Sequence, residues 1–473
     1  MPTEHTRFGG GVPETILHPI VLGAMILAIL LVFVLPRKYV IVPLLVFAFL
    51  TPLGQQIYFA GIHWLTLRII ILAGWVRLAA IRLRYGKSLY AGEFNSIDRA
   101  FVVFTLCQAV ATILLFQMTQ AAINQVGFLI DTLGAYLLLR CLIRNCADIY
   151  RTLKVFAFLT VVLAIGMVIE QAKLINVFGL LEGVRLTPEI REGRVRSQGV
   201  FQHSLMAGAF AATLVPLFFL LWKNGKAKFA AAVGLVGSTV MTITSQGSTP
   251  LLGYVAGILG VCLWPIRKQM RTVRWGIVVA LVLLALVMKA PVWFVITHID
   301  LTGSSSGYHR AIIVDQFIRH FSDWWLIGVK DVSKWAYDAW DVQNQYVNVG
   351  VTGGLGAFIF FLVMITRVCA RIGRARRTVA GTSKEWVIWF LGAALFAHLV
   401  TFFGVNYFDQ LKVSWFALLA MISAATLHLQ PARQLAPVPA LVMSSPAEHP
   451  ALTRDGLQDE AAATEQNFLS TAE

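Results

Sequence analysis

Residues 19–36 read PIVLGAMILAILLVFVLP, eighteen positions without a charge. Wound as a helix, such a run crosses most of the roughly 30 Å hydrocarbon core of a bilayer. Similar apolar stretches centre on residues 155–168, 207–222, 277–288 and 355–365, and polar loops separate them. None alternates apolar and polar with period two, which excludes a β-barrel. The chain is 58% hydrophobic and 13% charged, too little charge to cover the surface of a soluble protein of 473 residues. The sequence therefore predicts an all-α, polytopic membrane helix bundle of about 12–13 transmembrane helices, with a long external loop that contains a helix.

The first apolar run reads as a span rather than a cleaved leader. A mixed-charge segment precedes it, no small-residue cleavage site follows, and Pro36-Arg37-Lys38 comes next. The formal charge of +15 would suggest nucleic acid in a soluble protein; here it orients the bundle. The five cysteines lie in spans or at their ends, with no CxxC and no His/Cys metal spacing, so neither a disulfide framework nor a metal site is expected.

Thirteen spans are expected, with 39–55 and 62–80 the pair interrupted by Arg68. Lys and Arg crowd alternate loops, around Arg37, Arg82, Arg144, Lys226, Arg267 and Arg374. The intervening short loops 56–61, 118–121 and 246–247 have none. The positive-inside rule makes the first set cytoplasmic, with the N-terminus outside and the C-terminus inside. The bundle is then 1–428, with external loops 172–203 and 290–346. Residues 429–473, rich in Pro, Ala and acid, are expected to form a disordered cytoplasmic tail.

Both external loops break the charge rule. Loop 172–203 holds Arg194 and Arg196, which point to an anionic ligand such as a diphosphate or, alternatively, are solvated charges offset by Glu182, Glu189 and Glu192. His203 stands before the next apolar run, either as a proton-active group or as an interfacial histidine with a satisfied hydrogen bond. In loop 290–346 a helix is expected from about Gly307. Ile313, Phe317, Phe321 and Trp324 recur on one face with Arg310; Asp315, Gln316, Arg319 and Asp323 fall opposite. An inward arginine needs an anionic partner, either a protein carboxylate or a ligand phosphate. Asp341, Gln343, Asn344 and Tyr346 lie at the mouth of the next span. Asp341 suits a general base or a helix N-cap. Gly350, Gly353, Gly354 and Gly356 permit close helix approach.

From about residue 190 to 425 the order of elements resembles the O-antigen ligase and polymerase superfamily of bacterial envelope glycosyltransferases. The matching residues are Arg196 followed by Gln198-Gly199-Val200-Phe201, Arg310 early in the loop helix, the segment Trp325-Leu326-Ile327-Gly328-Val329-Lys330, and Gln343-Asn344 where ligases carry His-Asn. Two departures stand out. Gln343 replaces the loop histidine, and Thr244-Ser245-Gln246-Gly247-Ser248 lacks the arginine common in the short outer loop. The resemblance implies metal-independent, cofactor-free transfer of a glycan from undecaprenyl diphosphate to a lipid or glycan acceptor at the outer face of the bacterial inner membrane. Besides donor and acceptor, its partners would be membrane lipids and no nucleic acid. Arg310, Arg196, Arg194 and His203 would bind the diphosphate, while Asp341, His309, Gln343 and Asn344 would form the catalytic set. A repeat-unit polymerase, a polysaccharide transporter and a non-catalytic membrane scaffold are the alternatives.

Overall fold

In the computed structural model, which describes residues 14–427 apart from 87, 299–305, 337–338 and 340, helices run back and forth between two loop faces. The tail expected over 429–473 lies outside the described residues. The first ten helices are α1 (Pro19–Val34), α2 (Ile41–Leu50), α3 (Thr66–Tyr85), α4 (Ser96–Phe116), α5 (Thr119–Leu142), α6 (Cys146–Lys173), α7 (Ser204–Lys223), α8 (Lys228–Thr244), α9 (Ser248–Cys262) and α10 (Met270–Val287). The long loop contains α11 (Ser306–Arg319), and α12 (Gln345–Thr378), α13 (Lys384–Thr401) and α14 (Asp409–Ala425) complete the bundle. Among the described residues seven helices are long and apolar enough to cross a membrane, and α1, α8, α9 and α14 are apolar but shorter. Outward-facing Leu30, Val110, Phe158, Ile165, Val236 and Leu283 are exposed, a surface suited to lipid rather than water.

The expected spans 39–55 and 62–80 are corrected. Helix α2 covers ten residues, and residues 56–65 form a hairpin of β1 (Gln56–Phe59) and β2 (Ile62–Leu65). Ala60 and Gly61, with φ of 53° and 77°, make the two-residue turn that matches strand twist. A second hairpin, β3 (Glu189–Arg191) and β4 (Arg194–Arg196), turns at Glu192 and Gly193 in the same way. The architecture is thus mostly helical with two small hairpins, rather than wholly α. Arg68 does not break α3. Its guanidinium forks onto Asp131, with Nε–Oδ1 at 3.0 Å and Nη2–Oδ2 at 2.6 Å, beside a π turn at Ile130–Gly134.

Small residues set the packing. Helix α7 buries seventeen of its twenty residues and lies at the centre, against α8, α9 and α13. A Cβ on Gly237 of α8 would come within 2.9 Å of the Thr160 backbone, and one on Gly257 of α9 within 3.1 Å of Pro216 in α7. By contrast α10, which adjoins mainly its flanking turns, has no buried residue.

The basic loops meet on one face. Arg37 pairs with Asp148 at 3.2 Å, Arg144 donates to the Leu89 carbonyl at 2.6 Å, and Arg267 pairs with Glu385 at 3.1 Å. On the other face loops 51–65, 174–203, 245–247 and 402–408 interlock, together with the described parts of 288–344. Gln410 donates to the Thr51 carbonyl, Gln55 to Leu181, Ser197 N–H to Thr244 and Gln345 N–H to Phe402.

Helix α12 is broken at Gly354, where φ is 68° and ψ −174°. The long loop plugs into the break: Leu355 N–H donates to the Trp325 carbonyl and Val329 N–H to Val351, both at 2.8 Å. A Cβ at Gly354 would lie 2.5 Å from the Leu326 oxygen. Gly354→Ala should therefore cost about 1–3 kcal/mol, read as a fall in the thermal unfolding midpoint of the detergent-purified protein. Gly356→Ala, where nothing lies within 4 Å of the added carbon, should leave that midpoint nearly unchanged.

Candidate functional site

The loop face opposite the basic loops holds a cavity of about 990 Å³. The start of α7 contributes His203, Leu205 and Met206, and the broken first part of α12 contributes Asn348, Val351 and Thr352. Segments 329–333 and 341–343 of the long loop form one side, and Gly404 to Asn406 another. The walls are mixed: Phe116, Val329 and Phe408 beside Lys330, Asp331, Asp341 and Gln343.

His203 caps α7, its Nδ1 accepting from Leu205 N–H at 3.3 Å, while Nε2 lies 3.8 Å from Glu189. An Nδ1 that accepts leaves the neutral ring's proton on Nε2, so His203 presents a donor rather than a base. Burial lowers its pKa, with Arg196 acting the same way and Glu189 and Asp341 opposing. Arg196, on β4 directly across from Glu189, is buried and 3.6 Å from that carboxylate. Burial lowers the Arg196 pKa too, and Glu189 offsets this. Arg194 sits apart from Arg196, exposed at the turn end of the hairpin, so the expected basic pair is divided.

The segment joining Arg196 to His203 is held by a residue the sequence reading passed over. Glu170, fully buried near the end of α6, accepts Gln198 N–H at 3.1 Å and Gly199 N–H at 2.8 Å. Gly199 takes φ of 58°, which lets both amides face one carboxylate. A lone glutamate closing an apolar run was the available signal.

Asp341 lines the cavity and accepts from Gln343 Nε2. It is not the N-cap of α12. Asn344 has that role, its Oδ1 accepting from Tyr346 and Val347 N–H while Nδ2 donates to the Phe403 carbonyl. With both ends of its amide engaged and 2% exposure, Asn344 holds the wall instead of facing the cavity. His309 touches the site through Nε2, 3.3 Å from the Asp341 carbonyl.

Arg310 is buried with Ile313 and Phe317, as the helical phase predicts. It stands behind the cavity wall: a Cβ on Gly404 would come within 2.9 Å of its Nε. Two neighbours depart from the expected phase. Asp315 is buried and held by Arg319 at 2.6 Å, and Phe321 is exposed because α11 ends at Arg319 and the chain restarts as a separate turn. The cavity's own basic side chain is Lys330, its ammonium 5.6 Å from the Phe116 ring centre. Asn406 also lines the cavity, with Oδ1 buried and lacking a hydrogen-bond partner among the described residues. Among the described residues no three His, Cys, Asp or Glu side chains converge as a metal site requires.

Of this set His203 and Asp341 line the cavity; Glu189 and Arg196 lie next to His203, and His309 next to Asp341. Two outcomes test this geometry. Glu170→Gln keeps the shape but weakens charge-assisted bonds, and should lower stability by about 2 kcal/mol, measured by thermal unfolding. For His203, a folded pKa below the ordinary 6.5 means the unfolded chain binds the proton more readily. Stability should fall as pH drops below that value, and His203→Gln should flatten this part of the unfolding-versus-pH curve. No protein-family model matches this chain, and no curated protein sequence matches it.

Proposed function

We propose that the chain is a bacterial inner-membrane glycosyltransferase of the O-antigen ligase kind, spanning the membrane about thirteen times with its basic loops in the cytoplasm. The N-terminus is then outside and the C-terminus inside. The observation that carries the reading is the mixed cavity opposite the basic loops, with Asp341, Gln343, His203 and Lys330 in its lining and Arg196 and Arg310 close behind. A donor that is half diphosphate and half hydrocarbon suits such a place: cations nearby, apolar walls, and lipid-exposed helices around it.

In this reading an acceptor hydroxyl attacks the anomeric carbon of the lipid-linked glycan. Asp341 takes the hydroxyl proton as the new C–O bond forms. The bond from that carbon to the diphosphate oxygen breaks, and the lipid diphosphate leaves with the electron pair. Lys330, the Nε2–H of His203 and the field of Arg196 and Arg310 stabilise its growing charge. With Gln343 where ligases carry histidine, Asp341 takes the part of the base and Gln343 orients it, while Asp331, the other carboxylate of the lining, accepts from Ser333.

Purified protein in nanodiscs with a polyprenyl-diphosphate glycan and an acceptor tests this directly. Transfer should be lost in Asp341→Asn and Arg310→Ala. Arg310→Lys, which keeps the positive charge behind the wall, should retain most of the transfer that Arg310→Ala loses. Normal transfer by folded Arg310→Ala protein would overturn the role. Unfolding midpoints run in parallel separate lost chemistry from lost structure. Transfer onto a second lipid-linked glycan, rather than onto a separate acceptor, would identify a polymerase. A transporter is the second reading, favoured by the Arg68–Asp131 fork beside a π turn within the bundle. Under it, Arg68→Ala would block glycan passage while purified protein transferred nothing.

A further inference from the structure

On the basic face, where α7 and α9 end and α13 begins, two tryptophans and two cations form a stack. The indoles of Trp264 and Trp386 lie 3.5 Å apart between centroids, with planes 19° from parallel. The Arg267 guanidinium is 4.0 Å from the Trp264 centroid, and the Lys223 ammonium is 4.6 Å from that of Trp386. Each indole already has one face covered by the other, so the cations cap the outer faces. Trp389 meets Trp264 edge-on at 5.8 Å, and Arg376 lies 5.8 Å from the Trp389 centroid and donates to the Arg267 carbonyl.

The charge around the stack is one-sided. Residues 223–228, 263–274 and 371–385 contain twelve Lys and Arg and a single acid, Glu385. That carboxylate is already engaged, by Arg267 Nε at 3.1 Å and Gly381 N–H at 2.9 Å. The level of the stack is also marked. Helix α10 follows at once, without a buried residue and with Trp275, Ile277, Val278 and Val279 exposed. An apolar helix open on all sides is surrounded by acyl chains, which puts the stack beside it at the headgroup level.

We propose that this stack is a binding site for the phosphate headgroup of an acidic phospholipid in the leaflet at the basic face. Lys223 and Arg376 hold the phosphate, exposed Arg271, Arg274 and Lys384 add attraction, and the lipid's acyl chains lie along α10. Cations fixed on indole faces lose little freedom on binding, and the ring edges meet the glycerol region. The adjoining apolar helix selects a lipid over a soluble phosphate. The proposal rests on the membrane reading of the chain and is independent of glycan transfer.

The test uses full-length protein in detergent, with native mass spectrometry and titration of phosphatidylglycerol or phosphatidylcholine. Phosphatidylglycerol should bind at least about tenfold more tightly. Lys223→Gln/Arg376→Gln should weaken it about tenfold, while Lys226→Gln/Lys228→Gln, which removes the same charge away from the tryptophans, should stay within about twofold. Lys223→Gln alone, at an exposed position, should give a smaller loss in the same direction and serves if the double variant does not fold. Equal binding of the two lipids, an unchanged Lys223→Gln affinity, an equal loss in the Lys226/Lys228 control, or full displacement by inorganic phosphate would each overturn the site.

Discussion

At Gly354 the backbone of α12 gives up its own hydrogen-bond ladder and shares it with the long loop. Leu355 N–H takes the Trp325 carbonyl, and the Val351 carbonyl takes Val329 N–H. In an apolar layer an unmet amide costs several kcal/mol, so a helix breaks there only where another backbone supplies the partners. Segment 325–329 supplies them, and so becomes part of the bundle rather than a strap over it. Lys330 follows at once, so its place in the cavity is set by this exchange. Gly328, with φ of 90° and the Val351 oxygen 2.5 Å from where its Cβ would be, fits the same junction.

The remaining walls are built by the same economy. His203 caps α7 through one ring nitrogen and leaves the other toward Glu189. Asn344 caps α12 and ties it to the Phe403 carbonyl, while Tyr407 N–H donates to Gln345 Oε1. Glu170 reaches from α6 to meet two loop amides. Each satisfies a helix end or loop backbone that would otherwise go unpaired, and together they hold the cavity open. The arginines take a complementary part: Arg196 and Arg310 stand behind the lining, where they shape its potential more than they touch its contents.

Charge divides the molecule. On one face the basic loops tie to one another through Asp148 and Glu385 and rest on tryptophan rings. On the other face Lys330 enters the cavity and Arg196 and Arg310 stand buried behind its wall, while Arg194 stays exposed. One end is suited to a fixed bilayer surface and the other to a ligand that must arrive and leave.

Much of this was legible in the chain. Apolar runs of membrane length, the basic loops and the inward phase of Arg310 follow from local composition and helical period, which a sequence states directly. The spans expected around Arg68 give way to a local hairpin that turns at Ala60-Gly61 and to an ion pair with Asp131, a partner far along the chain. Asp341 was open to a capping role that Asn344 fills, since the helix start is fixed by the Phe402 and Phe403 carbonyls rather than by local preference. The same holds for Glu170 and Lys330, whose importance lies in what folds against them. The sequence by itself determined that the chain is mostly apolar helix, which loops are basic and which arginine turns inward, because hydrophobicity and charge act position by position. Only the tertiary structure decided which side chains enter the cavity and which stand behind it, because that is settled by hydrogen bonds to the backbone between segments far apart in the chain, such as the Gln410 side chain donating to the Thr51 carbonyl.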